Sequence, residues 1–201
     1  MLDPLMRRLI DPPLNGLARR LDRAPFGADA VSLAGFGSGL AAAATLALGQ
    51  AHLGLALFLC NRAADGLDGA LARQRGATDR GGYIDIVLDF IIYGLMALGF
   101  AIRDPAMAAL PAAFLLASFM GTGSSFLAYA ILAGKHGRST ALRGAKSFYH
   151  LGGLTEGTET IIFFLLCLAE PGWFPLLAWI FGALCWLTTL GRVIAGWRDF
   201  S

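Results

Sequence analysis

Six stretches of this chain are apolar for long enough to cross a bilayer as helices: near 30–50, 52–73, 82–102, 106–134, 154–170 and 173–197. No other feature restricts the fold as much. In hydrocarbon every backbone N–H and C=O must be satisfied within the chain, so a run of about 20 apolar residues becomes a helix. The runs predict an all-α, polytopic membrane protein with six transmembrane helices. Of the 201 residues, 56% are hydrophobic and 15% charged, too little polar surface for a soluble domain of this length. The fourth run is overlong and calls for tilt or an extension beyond lipid. The fifth is short and opens on the polar "TEGTET". "GQAH", "RDP" and "EPG" read as tight turns, with 74–81 and 135–153 as longer polar connections.

Lys and Arg give these runs a direction. Of 16 such residues, fourteen fall on one side: Arg7, Arg8, Arg19, Arg20 and Arg23, then Arg73, Arg75 and Arg80, then Lys135, Arg138, Arg143 and Lys146, then Arg192 and Arg198. Arg103 falls on the other side, and Arg62 lies within a run. The positive-inside rule puts both termini in the cytoplasm, as an even number of spans requires. The expected location is the bacterial inner (cell) membrane. Residues 1–29 are expected to be a cytoplasmic juxtamembrane segment, amphipathic in its mixture of Leu, Ile and Met with Arg. Pro12 and Pro13 should break it into short helices on the anionic leaflet; a basic flank without fixed structure is the alternative. Residues 30–201 form one domain, with no repeat at a fixed period. No cleavable signal is expected, because the first apolar run lacks the short core and cleavage pattern. Cys60, Cys167 and Cys185 lack CxxC spacing and read as buried, inert thiols. His52, His136 and His150 are scattered, which gives a zinc site little support. No nucleic-acid partner is expected.

Against this apolar background, "RAADGLDGALARQRGATDRGGYIDIVLDF" (62–90) holds five aspartates. Asp65 and Asp68 fall near the cytoplasmic end of the second run, and Asp85 and Asp89 near the cytoplasmic start of the third. Residues at i,i+3 and i,i+4 share a helix face, so two antiparallel helices offer two carboxylates each at similar depth. Charges in a span face the bundle interior or a water-filled cavity. Four carboxylates together repel unless cations neutralise them. Hard divalent cations with oxygen ligands do so, and Mg²⁺ retains waters and binds substrate phosphates. The cluster therefore reads as a metal site open to the cytoplasm. Gly66 and Gly69 lower helix propensity where a ligand or helix must come close. Gly81 and Gly82 are expected to let the chain turn into the third helix. Arg73, one turn beyond Gly69, is positioned to clamp a phosphate.

Asp65-x-x-Asp68-Gly69-x-x-Ala72-Arg73 followed by Gly81-x-x-x-Asp85-x-x-x-Asp89 resembles the signature of the class I CDP-alcohol phosphatidyltransferase family. The signature fixes eight residue identities within 25 positions, and the six-span layout fits as well. The resemblance implies Mg²⁺- or Mn²⁺-dependent transfer of a phosphatidyl group from CDP-diacylglycerol to a small polar alcohol, with release of CMP. It implies a two-metal centre on Asp65, Asp68 and Asp85. Asp89 would contact a metal and act as the general base. Asp68, Gly69, Ala72 and Arg73 match positions that bind the CDP moiety. Ser32, in "GADAVS", matches a further nucleotide contact, although the Pro-Asn pair that precedes it in the family is absent here. A homodimer embedded in membrane lipid is also implied.

The acceptor is read from charge. Lys135, Arg138, Arg143, Lys146 and Arg192 suit an anionic pocket beside the metal site, which favours glycerol 3-phosphate or another polyol phosphate. If these cations are only topology signals, serine or a neutral alcohol becomes the acceptor. Thr155, Glu156, Thr158, Glu159 and Thr160 are placed to meet an amine or polyol, or lie in the aqueous rim. Thr122, Ser124 and Ser125 read as helix-packing residues, and Trp173, Trp179, Trp186 and Trp197 as interface or packing aromatics. Three other readings compete. The aspartates would be interhelical ion pairs with Arg62, Arg73 and Arg80, or the transit site of a membrane cation transporter, or a relic in a membrane scaffold. A transporter predicts ionisable groups spread through the membrane depth, and a relic predicts a damaged motif.

Overall fold

The computed structural model describes residues 3–21, 27–76, 78–136 and 153–200, and these are helical almost throughout. The elements are α1 (Asp3–Leu21), α2 (Ala28–Ala47), α3 (Ala51–Arg75), α4 (Asp79–Arg103), α5 (Pro105–Lys135), α6 (Gly157–Ala169) and α7 (Phe174–Asp199), with a 3₁₀ turn at Pro171–Trp173 before α7. The six apolar runs correspond to α2–α7. Their connections are short where turn chemistry allows it. Gly49, at φ +85°, closes the α2–α3 turn. Asp104 caps α5 by accepting from the Met107 N–H at 3.2 Å, with Pro105 at the first helical position. Thr78 caps α4 by accepting from the Gly81 N–H at 3.0 Å.

Two expectations about these elements need correction. The chain turns at Gly76, which ends α3 at φ +99°; Gly81 and Gly82 lie inside α4, where the Thr78 cap starts the helix ahead of them. Pro12 and Pro13 do not divide α1, which runs unbroken from Asp3 to Leu21. An interior proline costs about 3 kcal/mol in an isolated helix, but α1 is not isolated. Ala18 is fully buried against Ala70 and Leu71 of α3, with Leu14 and Leu67 packed beside them. That apolar seam offsets the two missing backbone donors. Among the described residues, four helices are long and apolar enough to cross a membrane by themselves: α2, α4, α5 and the stretch Pro171–Asp199. The second half of α3 carries Arg62, Asp65, Asp68, Arg73 and Arg75. At 13 residues α6 is only about 20 Å long, against a hydrocarbon core of about 30 Å.

The bundle is apolar outside as well as inside. Met120, Leu110 and Ile131 are about 70% exposed or more, as expected of helices solvated by lipid. The core is aromatic: Phe58, Phe100, Phe164 and Phe174 are buried, and the Phe100 and Phe174 rings stack at 4.1 Å. The four tryptophans are all exposed, in keeping with interface or lipid-facing positions. Of the thiols, Cys167 and Cys185 are buried, but Cys60 is exposed on the outer face of α3, so burial holds for two of the three.

Small residues bring α2, α3 and α4 together. A Cβ on Gly35 would lie 2.7 Å from the Ala64 Cβ, and one on Gly99 would lie 3.0 Å from the Ala43 carbonyl oxygen. Without side chains at these points the backbones approach closely. The N-terminus of α2, the C-terminus of α3 and the N-terminus of α4 then meet at one end of the bundle. The C-termini of α5 and α7 and the N-terminus of α6 join them there.

Candidate active site

At that end α3 and α4 face each other, and the helical spacing seen in the sequence does what it implies. Carboxylate oxygens of Asp65, Asp68 and Asp85 lie within 4.8 Å of one another. Oxygens around one octahedral cation sit roughly 3–4.2 Å apart at metal–oxygen distances of about 2.1 Å, so this donor set fits a hard divalent ion with little adjustment. Asp68 is buried. Ser32, reaching over from α2, donates to one Asp68 oxygen and fixes its orientation. A partly open recess of about 20 Å³ beside the three carboxylates has room for one ion- or water-sized body and is also lined by Gly35, Phe36 and Ile92.

Asp89 stands slightly apart from this set. Its Oδ1 accepts from the Arg62 Nη2 at 2.8 Å, and Arg62 Nη1 lies 3.8 Å from Asp65. The ion-pair reading thus holds for Arg62 and fails for the other two arginines. Arg73 reaches Asp11 of α1 at 3.3 Å, and Arg80 pairs with Asp29. Both lie at the exposed rim. Gly69 and Ala72 are partly buried on α3. Gly66 serves the close approach expected of it, since a Cβ there would meet the Leu14 side chain of α1 at 2.7 Å.

A second, larger cavity of about 210 Å³ adjoins the carboxylates and is shared by α4, α5, α6 and α7. Asp85, Asp89 and Tyr93 form one wall; Thr122, Thr155, Glu156, Thr160 and Arg192 contribute polar groups to the others. Arg192 is buried, donates from Nη1 to the Thr122 carbonyl oxygen at 2.9 Å, and lies over the Phe126 ring. Glu156 and Glu159 form a reciprocal capping box at the start of α6. Thr155 and Thr188 are linked at 3.0 Å, tying that helix start to α7. Of the five cations expected around an anionic pocket, Arg192 reaches this cavity. Lys135 is exposed at the end of α5 and does not line it; a terminal position on an overlong helix carries it past the pocket. Arg138, Arg143 and Lys146 lie outside the described residues.

The sequence assigns Asn61, Tyr93 and Thr122 no site role, and Arg62 only the ion-pair reading. The available signal was an Asn-Arg pair inside an apolar run, one turn before Asp65, and a tyrosine one turn after Asp89. Thr122 reads from the sequence as a packing residue, yet its carbonyl holds Arg192.

Comparison with known proteins agrees with this geometry. The chain is 50% identical over 197 residues to the inner membrane protein YnjF of Escherichia coli (strain K12), covering 98% of this chain and 96% of that one. It is 38% identical over 97 residues to the archaetidylinositol phosphate synthase of Methanothermobacter thermautotrophicus, about half of each chain. Its fold matches the crystal structure of Mycobacterium tuberculosis phosphatidylinositol phosphate synthase with CDP-DAG bound, at a TM-score of 0.71, 23% identity and coverage of 92% and 93% of the two chains. The same enzyme in complex with manganese and citrate matches at 0.71 and 24% identity, over 92% of this chain and 88% of that one. Residues 28–193 match the CDP-alcohol phosphatidyltransferase domain. The chain belongs to the CDP-alcohol phosphatidyltransferase family, membrane enzymes of phospholipid synthesis that depend on a divalent metal.

Proposed function

We propose that this enzyme transfers a phosphatidyl group from CDP-diacylglycerol to a polyol phosphate, glycerol 3-phosphate or an inositol phosphate, and releases CMP. The observation that carries the reading is the buried guanidinium of Arg192 in the cavity that begins at Asp85 and Asp89. A phosphorylated alcohol brings about two negative charges, and a buried arginine matches a phosphate in shape as well as charge. The N-terminus of α6 opens on the same cavity and adds a favourable dipole. Arg138, Arg143 and Lys146 belong to this reading as further acceptor contacts, with Lys135 more remote. The names of two of the similar proteins, the archaetidylinositol phosphate synthase and the phosphatidylinositol phosphate synthase, support the class of acceptor.

In this reading Asp65, Asp68 and Asp85 hold a two-metal centre, with Asp89 at its edge. Bound divalent ions, Mg²⁺ or Mn²⁺, would neutralise charge on the leaving CMP and on the phosphoryl group under attack. Ser32 keeps Asp68 turned toward the centre. Gly69 and Ala72 leave room for the nucleotide. Arg73 exchanges its exposed partner Asp11 for a phosphate, since an exposed ion pair contributes only about 0–1 kcal/mol. The acceptor hydroxyl oxygen bonds to the phosphatidyl phosphorus, the phosphorus–oxygen bond to CMP breaks, and the hydroxyl proton passes to the Asp89 carboxylate. The six-span topology belongs here too, with α3 and α6 shielded by their neighbours. So do the cytoplasmic face for both termini and the site, the division at residues 29 and 30, and the homodimer.

The test supplies CDP-diacylglycerol with glycerol 3-phosphate, inositol phosphate, serine or inositol, and follows CMP. The phosphorylated alcohols should react fastest. Arg192→Gln should raise the KM of the acceptor about tenfold or more while changing that of the donor little, the pattern of a lost ground-state contact to one substrate. Faster reaction with serine or with the neutral polyol, and an acceptor KM unmoved by the substitution, would defeat the anionic pocket.

A further inference from the structure

The guanidinium of Arg62 is nearly buried, with its side chain 9% exposed, in the middle of α3. Every face of it is engaged. Nε and Nη2 donate to the Asn61 side-chain oxygen at 2.9 and 2.7 Å, and Nη1 donates to the Tyr93 hydroxyl at 2.9 Å. Its carbon lies 5.5 Å from the Phe58 ring centroid and 5.2 Å from that of Tyr93. Asn61 is itself buried and anchored across the bundle, donating to the Gly35 carbonyl of α2 at 2.9 Å. A guanidinium pinned in this way has a fixed direction, and Nη2 points at Asp89 Oδ1.

This arrangement is costly to bury and works against the metal site in one respect, since a positive charge 3.8 Å from Asp65 weakens the attraction of the cluster for a cation. A residue present only to help hold the metal would have the opposite sign. Asp89 is the carboxylate outside the group whose oxygens converge within 4.8 Å, and it lines both the recess and the larger cavity. We infer that Arg62 is a positioning residue: its bond to Oδ1 fixes the Asp89 carboxylate at the edge of the metal centre and turned to the acceptor cavity, ready for the acceptor hydroxyl. Asn61 and Tyr93 keep Arg62 in place. The inference rests on the role proposed above for Asp89, but not on which alcohol is the acceptor.

Full-length protein in nanodiscs serves for the test, with Mn²⁺ binding in the absence of substrates read from the electron paramagnetic resonance of the free ion, and CMP release measured separately. Arg62→Gln should bind Mn²⁺ roughly tenfold more tightly, because a nearby like charge is gone, while kcat falls about a hundredfold, the scale of a misplaced general base. Arg62→Lys should keep wild-type Mn²⁺ affinity and recover part of kcat. Tyr93→Phe, which removes one bond and no charge, should leave Mn²⁺ affinity unchanged and lower kcat several-fold. Looser Mn²⁺ binding in Arg62→Gln together with no recovery in Arg62→Lys would reduce Arg62 to a structural ion pair. Unchanged kcat in Arg62→Gln would also overturn the inference. If the wild type binds Mn²⁺ but releases CMP with none of the alcohols, the proposed acceptor class fails, and the opposite shifts in affinity still test the placement of Arg62.

Discussion

Asp85 illustrates how a single side chain couples the two helices that carry the signature. It sits on α4, yet its oxygens complete a set begun by Asp65 and Asp68 on α3. Asp85→Asn removes a charge from that set and should lower CMP release at least about a hundredfold, while Mn²⁺ affinity falls with it. Ser32→Ala leaves all the carboxylates but frees Asp68 from its orienting bond; outer contacts of this kind contribute about 10- to 100-fold in metal affinity or activity, and the lower end is expected. Titrating Mn²⁺ against each variant checks both. The convergence of the carboxylates was legible in the sequence because i,i+3 and i,i+4 spacing is a local property of a helix. Even Ser32, on a third helix, was accessible through its family position. The engagement of Arg62 with Asp89 and Tyr93 was not, because it depends on the rotation of α4 against α3, which no local pattern encodes. Arg73 shows the reverse difficulty: its helical position was clear, but its partner Asp11 lies 62 residues away on α1.

The six main helices were foreseen within a few residues at most of their ends, because apolar length and turn residues act locally. The exceptions arise where packing overrides propensity, as in the unbroken α1, or where a glycine's dihedral decides the turn, as at Gly76 rather than Gly81. Helix register in the bundle depends on the absence of side chains at a few close approaches. Gly35→Leu must push α2 from α3 at Ala64 and should lower stability by about 1–3 kcal/mol or more, seen as a reduced Tm in detergent. The same shift moves Ser32 and Asn61, so activity should fall with stability. A variant of unchanged Tm would show that the α2–α3 seam tolerates a branched side chain and that the close approach is incidental.

At the scale of the whole molecule, the basic residues and the site predict one orientation. Single cysteines at Gly76 should resist an impermeant thiol reagent in intact cells, and those at Gln50 and Gly172 should react, in a background without Cys60, Cys167 and Cys185. The exposed Cys60 makes that background necessary. Labelling at Gly76 with protection at Gln50 would reverse the orientation. The gathering of Ser32, the four aspartates and Arg192 at one end of the helices has a further consequence. On the proposed reaction, one substrate reaches this end by sliding within the leaflet, and the other arrives from bulk water. The two are therefore counted in different units. Saturation by the nucleotide-linked lipid will follow its mole fraction among the surrounding amphiphiles, so adding inert lipid or detergent dilutes it at constant molarity. Saturation by the alcohol will follow its ordinary concentration and ignore that dilution.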